Sequence, residues 1–170
     1  EMCIRDSFNF RVRYIDQIND KDEFVADLIL DISVMKNNML SLSEYQPKCT
    51  EDKELFSNLY TGYEEYKDKE SKIDFDDMLV MAKEILDTNP EILLYLRSSY
   101  PYIQVDEYQD TNTLQDSIIR KIRTKNTNLM VVGDDMQSIY KFRGADVQNI
   151  LSFPKRYTDC KVIYLTENYR

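Results

Sequence analysis

The sequence predicts an α/β fold in which a parallel sheet with flanking helices follows an all-helical module. Three observations lead there. Apolar residues recur every three or four positions through the first half, that period gives way after Pro101 to short unbroken apolar runs, and a strongly capped helix lies between the first two runs. Strand, helix, strand is the order of a parallel sheet. At 170 residues the chain is about one domain long, enough to bury about 70% of its unfolded surface without disulfides.

Each element has its own signal. From Asp22 to Leu40 the stripe Phe24, Leu28, Ile32, Met35 and Met39 is the buried side of an amphipathic helix. Ser41–Thr50, with Pro47, reads as a loop, and Leu55, Phe56, Leu59, Tyr60, Tyr63 and Tyr66 repeat the helical spacing. A third helix is expected over Phe75–Leu86, capped by Asp74 and burying Phe75, Met78, Leu79, Ala82, Ile85 and Leu86. Pro90 separates it from a short helix around Glu91–Arg97. The Tyr and Met stripes of this half are read as core. Tyr102–Val105, Leu129–Val132 and Val162–Leu165 read as strands buried on both faces. The helix between the first two is expected to carry a Thr113/Asp116 capping box, with Leu114, Ile118 and Ile122 inward and Arg120, Lys121 and Arg123 in its last turn.

Composition excludes several chemistries. There are no histidines, which removes histidine-based triads and metal sites, and three dispersed cysteines, Cys3, Cys49 and Cys160, with no C-x-x-C pair, favour a reducing compartment. Asp27 and Asp31 interrupt the most apolar stretch, so no membrane span is expected, and Glu1–Phe10 lacks the pattern of a secretory signal. A cytoplasmic protein fits these readings. The net charge of −9 is uneven: residues 1–90 hold 21 acids against 11 bases, residues 91–170 hold 10 against 11.

Two strand ends carry the candidate chemistry. Tyr102–Asn112, YIQVDEYQDTN, delivers Asp106 and Glu107 to the carboxyl end of a strand, where ligands bind in open α/β sheets. One acid there can hold hydrated Mg²⁺ and the other can deprotonate a water, although an acidic turn closing a strand is an equal alternative for the bare pair. The second strand ends in Gly133, Asp134 and Asp135, then Gln137, whose amide suits a phosphate oxygen. In SIYKFRGA, Tyr140 and Phe142 alternate with Lys141 and Arg143, a pattern suited to single-stranded nucleic acid, with an aromatic pair packed in a loop as the plainer alternative.

VDEYQDTN at Val105–Asn112, VVGDDMQSIYKFRGAD at Val131–Asp146 and LTENYR at Leu165–Arg170, in this order and spacing, resemble the UvrD/Rep/PcrA family of superfamily 1 DNA helicases. IDFDDML at Ile73–Leu79 resembles it too, and ISVMKN at Ile32–Asn37 looks like part of the family's 1B insertion. The resemblance implies a partial RecA-like, P-loop NTPase lobe (1A) over residues 73–170, preceded by a helical module over residues 1–72. It implies an ATP-driven motor moving 3′ to 5′ on single-stranded DNA, with ATP, Mg²⁺, single-stranded DNA and single/double-strand junctions as ligands. Carried over by motif, Asp106 would bind Mg²⁺, Glu107 would be the catalytic base, and Gln109 would belong to the same Walker B motif. Gln137 would sense the γ-phosphate. Tyr140 and Phe142 would contact bases, Phe142 standing where many relatives have Trp, and Arg143 would couple that contact to the nucleotide. Arg170 would be the finger that stabilises the transferring phosphoryl group. Asp134 and Asp135 are read as shaping their loop.

One departure from the family is in the glycines. Gly62, Gly133 and Gly144 are the only three, so these residues contain no G-x-x-x-x-G-K-[ST] phosphate loop. The expectation is an internal piece of a helicase, inactive alone, of marginal stability, and binding DNA weakly and salt-sensitively at best. Glu1–Ser7 matches nothing in the family and is read as a foreign sequence end. Two other readings use the same residues. One is a metal-dependent nuclease built on Asp106, Glu107, Asp134 and Asp135. The other is a non-enzymatic interaction module.

Overall fold

A computed structural model of the chain describes residues 20–137 and 145–167. Four helices come first: α1 (Lys21–Asn37), α2 (Lys53–Glu70), α3 (Phe75–Thr88) and α4 (Pro90–Ser99). Strand β1 (Tyr102–Val105), helix α5 (Thr113–Ile122), strand β2 (Asn128–Val131) and the short helices α6 (Gln148–Leu151) and α7 (Phe153–Arg156) follow. Single 3₁₀ turns occupy Tyr108–Asp110 and Asp135–Gln137. β1 and β2 are parallel, with Tyr102 opposite Asn128 and Val105 opposite Val131. This is a mixed α/β architecture consistent with a partial RecA-like core.

Helices α1 and α2 form around one apolar cluster, as their spacing predicts. Val25, Leu28, Ile32 and Met35 of α1 pack with Phe56 and Tyr63 of α2 and with Tyr45 of the connecting loop. That loop is fixed by a buried carboxylate. Asp31 accepts the Tyr45 hydroxyl at 2.7 Å and the backbone N–H groups of Lys48 and Cys49 at 2.7 and 2.8 Å. Burial raises the Asp31 pKa, but the three donors outweigh it and hold the group below the usual carboxylate range. The same burial and the facing Asp31 carboxylate push the Cys49 thiol up to about 12, so it stays protonated.

Helices α1 and α2 end without glycine. Met39 follows α1 at φ 56° and Ser71 follows α2 at φ 52°, each as the left-handed residue of a Schellman-type end. After α1, Met39 N–H reaches Lys36 O and Leu40 N–H reaches Met35 O; after α2, Ser71 N–H reaches Asp68 O and Lys72 N–H reaches Lys67 O. The first helix therefore stops at Asn37, short of Leu40, and Met39 lies outside its stripe.

An ionic cluster joins α3 to the two helices before it. Asp74 caps α3 as expected, sharing a capping box with Asp77. Lys67 meets Asp77 at 2.5 Å, Asp74 at 2.9 Å and Glu64 at 3.0 Å, while Lys36 meets Asp77 at 2.6 Å and Glu64 at 2.9 Å. Tyr63 donates its hydroxyl to Asp74, and Asn37 donates its amide to Asp76. Burial opposes ionisation of Asp74, but the Asp77 N–H and the two lysines lower its pKa to about 2.

The structure corrects four sequence readings. The capping box of α5 is Asn112 with Gln115, not Thr113 with Asp116, because Asn112 in extended geometry accepts Gln115 N–H and receives the return bond. Asp116 is instead a buried counter-ion. The strands are not buried on both faces: Ile103, Val105, Leu129 and Val131 are half-buried, whereas Tyr102, Gln104, Asn128 and Met130 face outward. Val162–Leu165 is no strand but an exposed segment, Leu165 at 88% exposure, because it meets no strand edge among the described residues. Of the apolar face expected to pack on α3 only Leu86 is buried; Phe75, Met78 and Ile85 are exposed, so the Met stripe there is not core.

Breaking a buried ion pair costs about 3–5 kcal/mol, and removing Lys67 leaves Glu64, Asp74 and Asp77 to Lys36 alone. Lys67→Met is expected to lower urea-unfolding stability by about that amount. A carboxyl whose pKa falls on folding contributes fully above its unfolded value and loses that contribution as pH drops through the folded one. The Asp74 contribution is therefore complete above its ordinary value of 3.8 and lost on acidification toward about 2, which a pH series of urea midpoints measures.

Candidate functional site

The turn after β1 is shaped by strain and by burial together. Asp106 follows the strand and its Oδ1 accepts the Glu107 N–H at 2.9 Å. Glu107 then takes the left-handed conformation, φ 48° and ψ 41°, which costs a residue with a Cβ about 1–2 kcal/mol. The next two residues fix it there. Tyr108 is 0% exposed, and its N–H donates to Val132 O at 2.9 Å. Its ring packs edge-on against Phe153, with centroids 5.6 Å apart. The Tyr108 hydroxyl donates to Asp116, which is 1% exposed and also holds Arg156 at 2.8 Å and Arg120 at 2.9 Å. Burial, and then the Asp116 carboxylate, hold the Tyr108 hydroxyl well above its ordinary pKa.

Gln109 is 1% exposed and spans the two strand ends. Its Nε2 donates to Glu107 Oε2 at 2.7 Å, and its Oε1 accepts the Asp134 N–H at 3.1 Å. Gln137 returns to the same loop, donating Nε2 to Asp134 Oδ2 at 2.8 Å. A hydrogen-bonded chain thus runs Glu107–Gln109–Asp134–Gln137. Gly133 makes room for it: a Cβ there would lie 2.3 Å from Gln109 Oε1, 2.8 Å from Ile150 Cδ1 and 3.2 Å from Tyr108 N.

The structure brings together Asp106, Glu107, Gln109 and Gln137, which the sequence singled out. Asp106 and Glu107 are exposed, so two carboxylates face solvent beside a buried amide. Tyr140, Phe142, Arg143 and Arg170 lie outside the described residues. The residues from Ala145 on are anchored to the first strand's turn: Ala145 bridges to Asn112, Asp146 N–H donates to Thr111 O at 3.0 Å, and the buried Asn149 donates to the same carbonyl at 3.0 Å.

The sequence reading missed Tyr108, Asp116 and Asn149. Tyr108 sits between recognised motif residues and Asp116 in helical register with Arg120, but nothing local shows that Arg156, 40 positions on, closes the set. Asp134 does shape its loop, its Oδ1 accepting Met136 N–H at 3.0 Å. Among the described residues no three carboxylates or thiolates come together as metal ligands, so the four acids of the nuclease reading do not form the cluster it needs. No described helix is long and apolar enough to cross a membrane.

Comparison with known proteins identifies the family. The UvrD/REP helicase N-terminal domain family matches residues 7–158. The chain belongs to that family. The ATP-dependent DNA helicase PcrA of Staphylococcus aureus strain Mu50 is 40% identical over 140 residues, covering 82% of this chain and 19% of that relative. The PcrA of Staphylococcus epidermidis strain ATCC 35984 is 39% identical over the same share of each chain. The chain therefore spans about a fifth of the length of these UvrD/REP relatives.

Gly133 is a tight position for backbone packing, since the facing Gln109 amide is buried and hydrogen-bonded at both ends. Gly133→Ala is expected to cost about 1–3 kcal/mol by overpacking and to loosen the join between the strand ends. Urea unfolding measures the first. Faster amide hydrogen exchange at Tyr108 and Asp134 reports the second.

Proposed function

We propose that the chain is part of an ATP-dependent DNA helicase that couples ATP hydrolysis to 3′-to-5′ movement on single-stranded DNA. The observation that carries this reading is the Glu107–Gln109–Asp134–Gln137 chain, which ties a carboxylate suited to proton transfer to an amide suited to phosphate recognition. In this reading residues 1–72 are a helical module and residues 73–170 part of the ATPase lobe. The lysines of α1 and α2 that hold Asp74 and Asp77 support a stiff join between them.

The residues divide the work by chemistry. Asp106 Oδ1 is taken by the backbone, and Oδ2 accepts no bond among the described residues. One exposed carboxylate oxygen suits Mg²⁺, which keeps several waters and binds through one or two carboxylates plus substrate phosphates. When bound, Mg²⁺ neutralises charge developing on the phosphoryl oxygens. Glu107 Oε2 is oriented by Gln109, and Oε1, which accepts no bond among the described residues, suits accepting a proton from the attacking water. Gln137 hydrogen-bonds the γ-phosphate, and Arg170 stabilises the charge of the transferring group. Tyr140 and Phe142 stack on bases of single-stranded DNA, at single/double-strand junctions as well, and Arg143 links that contact to the nucleotide. The remaining helicase lobes are the partners: the second lobe supplies the other wall of the ATP cleft, and the phosphate loop belongs to the part of this lobe that precedes the helical insertion.

In the complete polypeptide, Glu107→Gln is expected to lower kcat for DNA-stimulated ATP hydrolysis by about 10²–10⁴-fold while leaving DNA binding intact. Undiminished turnover would remove Glu107 from its role. Phosphate release by these 170 residues alone, with DNA present, should stay at background. Robust turnover would show that the substrate is held without a phosphate loop.

A further inference from the structure

The Gln137 amide is engaged within its own loop. Its backbone N–H donates to Asp134 O at 3.0 Å, and its side chain folds back so that Nε2 donates to Asp134 Oδ2 at 2.8 Å. Asp134 is itself immobilised. Its N–H is held by the buried Gln109 at 3.1 Å, and its Oδ1 closes the turn through Met136 N–H at 3.0 Å. One carboxylate oxygen thus builds the turn and the other occupies the amide.

We propose that Asp134 is a positioning residue that keeps Gln137 in reserve, competing with the terminal phosphate of a bound nucleoside triphosphate for the same amide. This rests on reading Gln137 as the phosphate sensor. A carboxylate is a stronger acceptor than a neutral carbonyl, so the reserve contact is charge-assisted. Both side chains are solvent-exposed, which reduces its net worth. Because Gln137 is anchored through its backbone, its release needs only rotation of its own side chain and leaves β2 and Gln109 in place. A ligand gains affinity only through the state it prefers, and that affinity is divided by the fraction of competent protein. The reserve therefore weakens triphosphate binding and leaves a diphosphate, which lacks the competing group, unaffected.

The test uses the complete helicase polypeptide without DNA, measuring the Kd of a non-hydrolysable ATP analogue and of ADP by fluorescence. Asp134→Ala should tighten the analogue about threefold to tenfold, with ADP unchanged. Asp134→Asn keeps the oxygen that closes the turn and should give a smaller shift in the same direction. If the alanine variant does not fold, the asparagine variant decides. Unchanged or weaker analogue binding overturns the proposal, as does equal tightening of ADP. Gln137→Ala separates the two levels. If it weakens the analogue while both Asp134 variants behave as wild type, only the reserve is refuted. If it binds the analogue as wild type does, the sensor reading fails and the reserve with it.

Discussion

A single buried amide, that of Gln109, makes one site out of two strand ends. Parallel strands are joined by their ladder, but the ladder stops at Val105 and Val131, and the chemistry lies beyond it. There the polypeptide would diverge, since Glu107 enters a left-handed turn and the chain leaves β2 through Gly133. Two backbone bonds, Val132 N–H to Val105 O and Tyr108 N–H to Val132 O, carry the pairing a little further. Gln109 then spends its donor on one loop and its acceptor on the other. A buried amide with both ends satisfied is stable and directional. With one end lost it would carry the desolvation penalty of an unmatched polar group.

The rest of the molecule supports that bridge at two removes. Behind it, Tyr108 fills the space between α5 and α7, and its hydroxyl draws on Asp116, whose charge is offset by Arg156 and Arg120. Further off, the lysines of α1 and α2 bind the start of α3. Buried ion pairs are weak evidence for net stability, since desolvation consumes much of their attraction. Their value here is directional. Lys67 lies in the last turn of α2 and Asp74 at the first of α3, so each charge also suits the dipole of its own helix.

What the sequence revealed follows from the range over which each signal acts. Periodicity and capping signals located α1 through α5, and short apolar runs located both paired strands, because these signals are local. Helix ends were harder: with Met39 and Ser71 rather than glycine in the left-handed positions, nothing in the composition marks where α1 stops. Asn112 and Thr113 are both good capping residues, and choosing between them depends on backbone geometry that neighbouring letters do not specify. Val162–Leu165 has strand-like residues, but a strand also needs an edge to pair with. In the site, motif residues were legible because their order along the chain is itself informative. The Gln109–Asp134 bond joins positions 25 apart and left no local trace.

The Gly133–Gln109 contact has a consequence for how this sequence can drift. The two positions occupy one volume, with the missing side chain at 133 filled by the amide of 109. A larger residue at either place is an error until the other changes, and a shorter residue at 109 both admits a methyl group and dissolves the bridge. Substitutions there must arrive as compensated pairs, and the mutational route between such pairs passes through a protein that is either overpacked or disconnected.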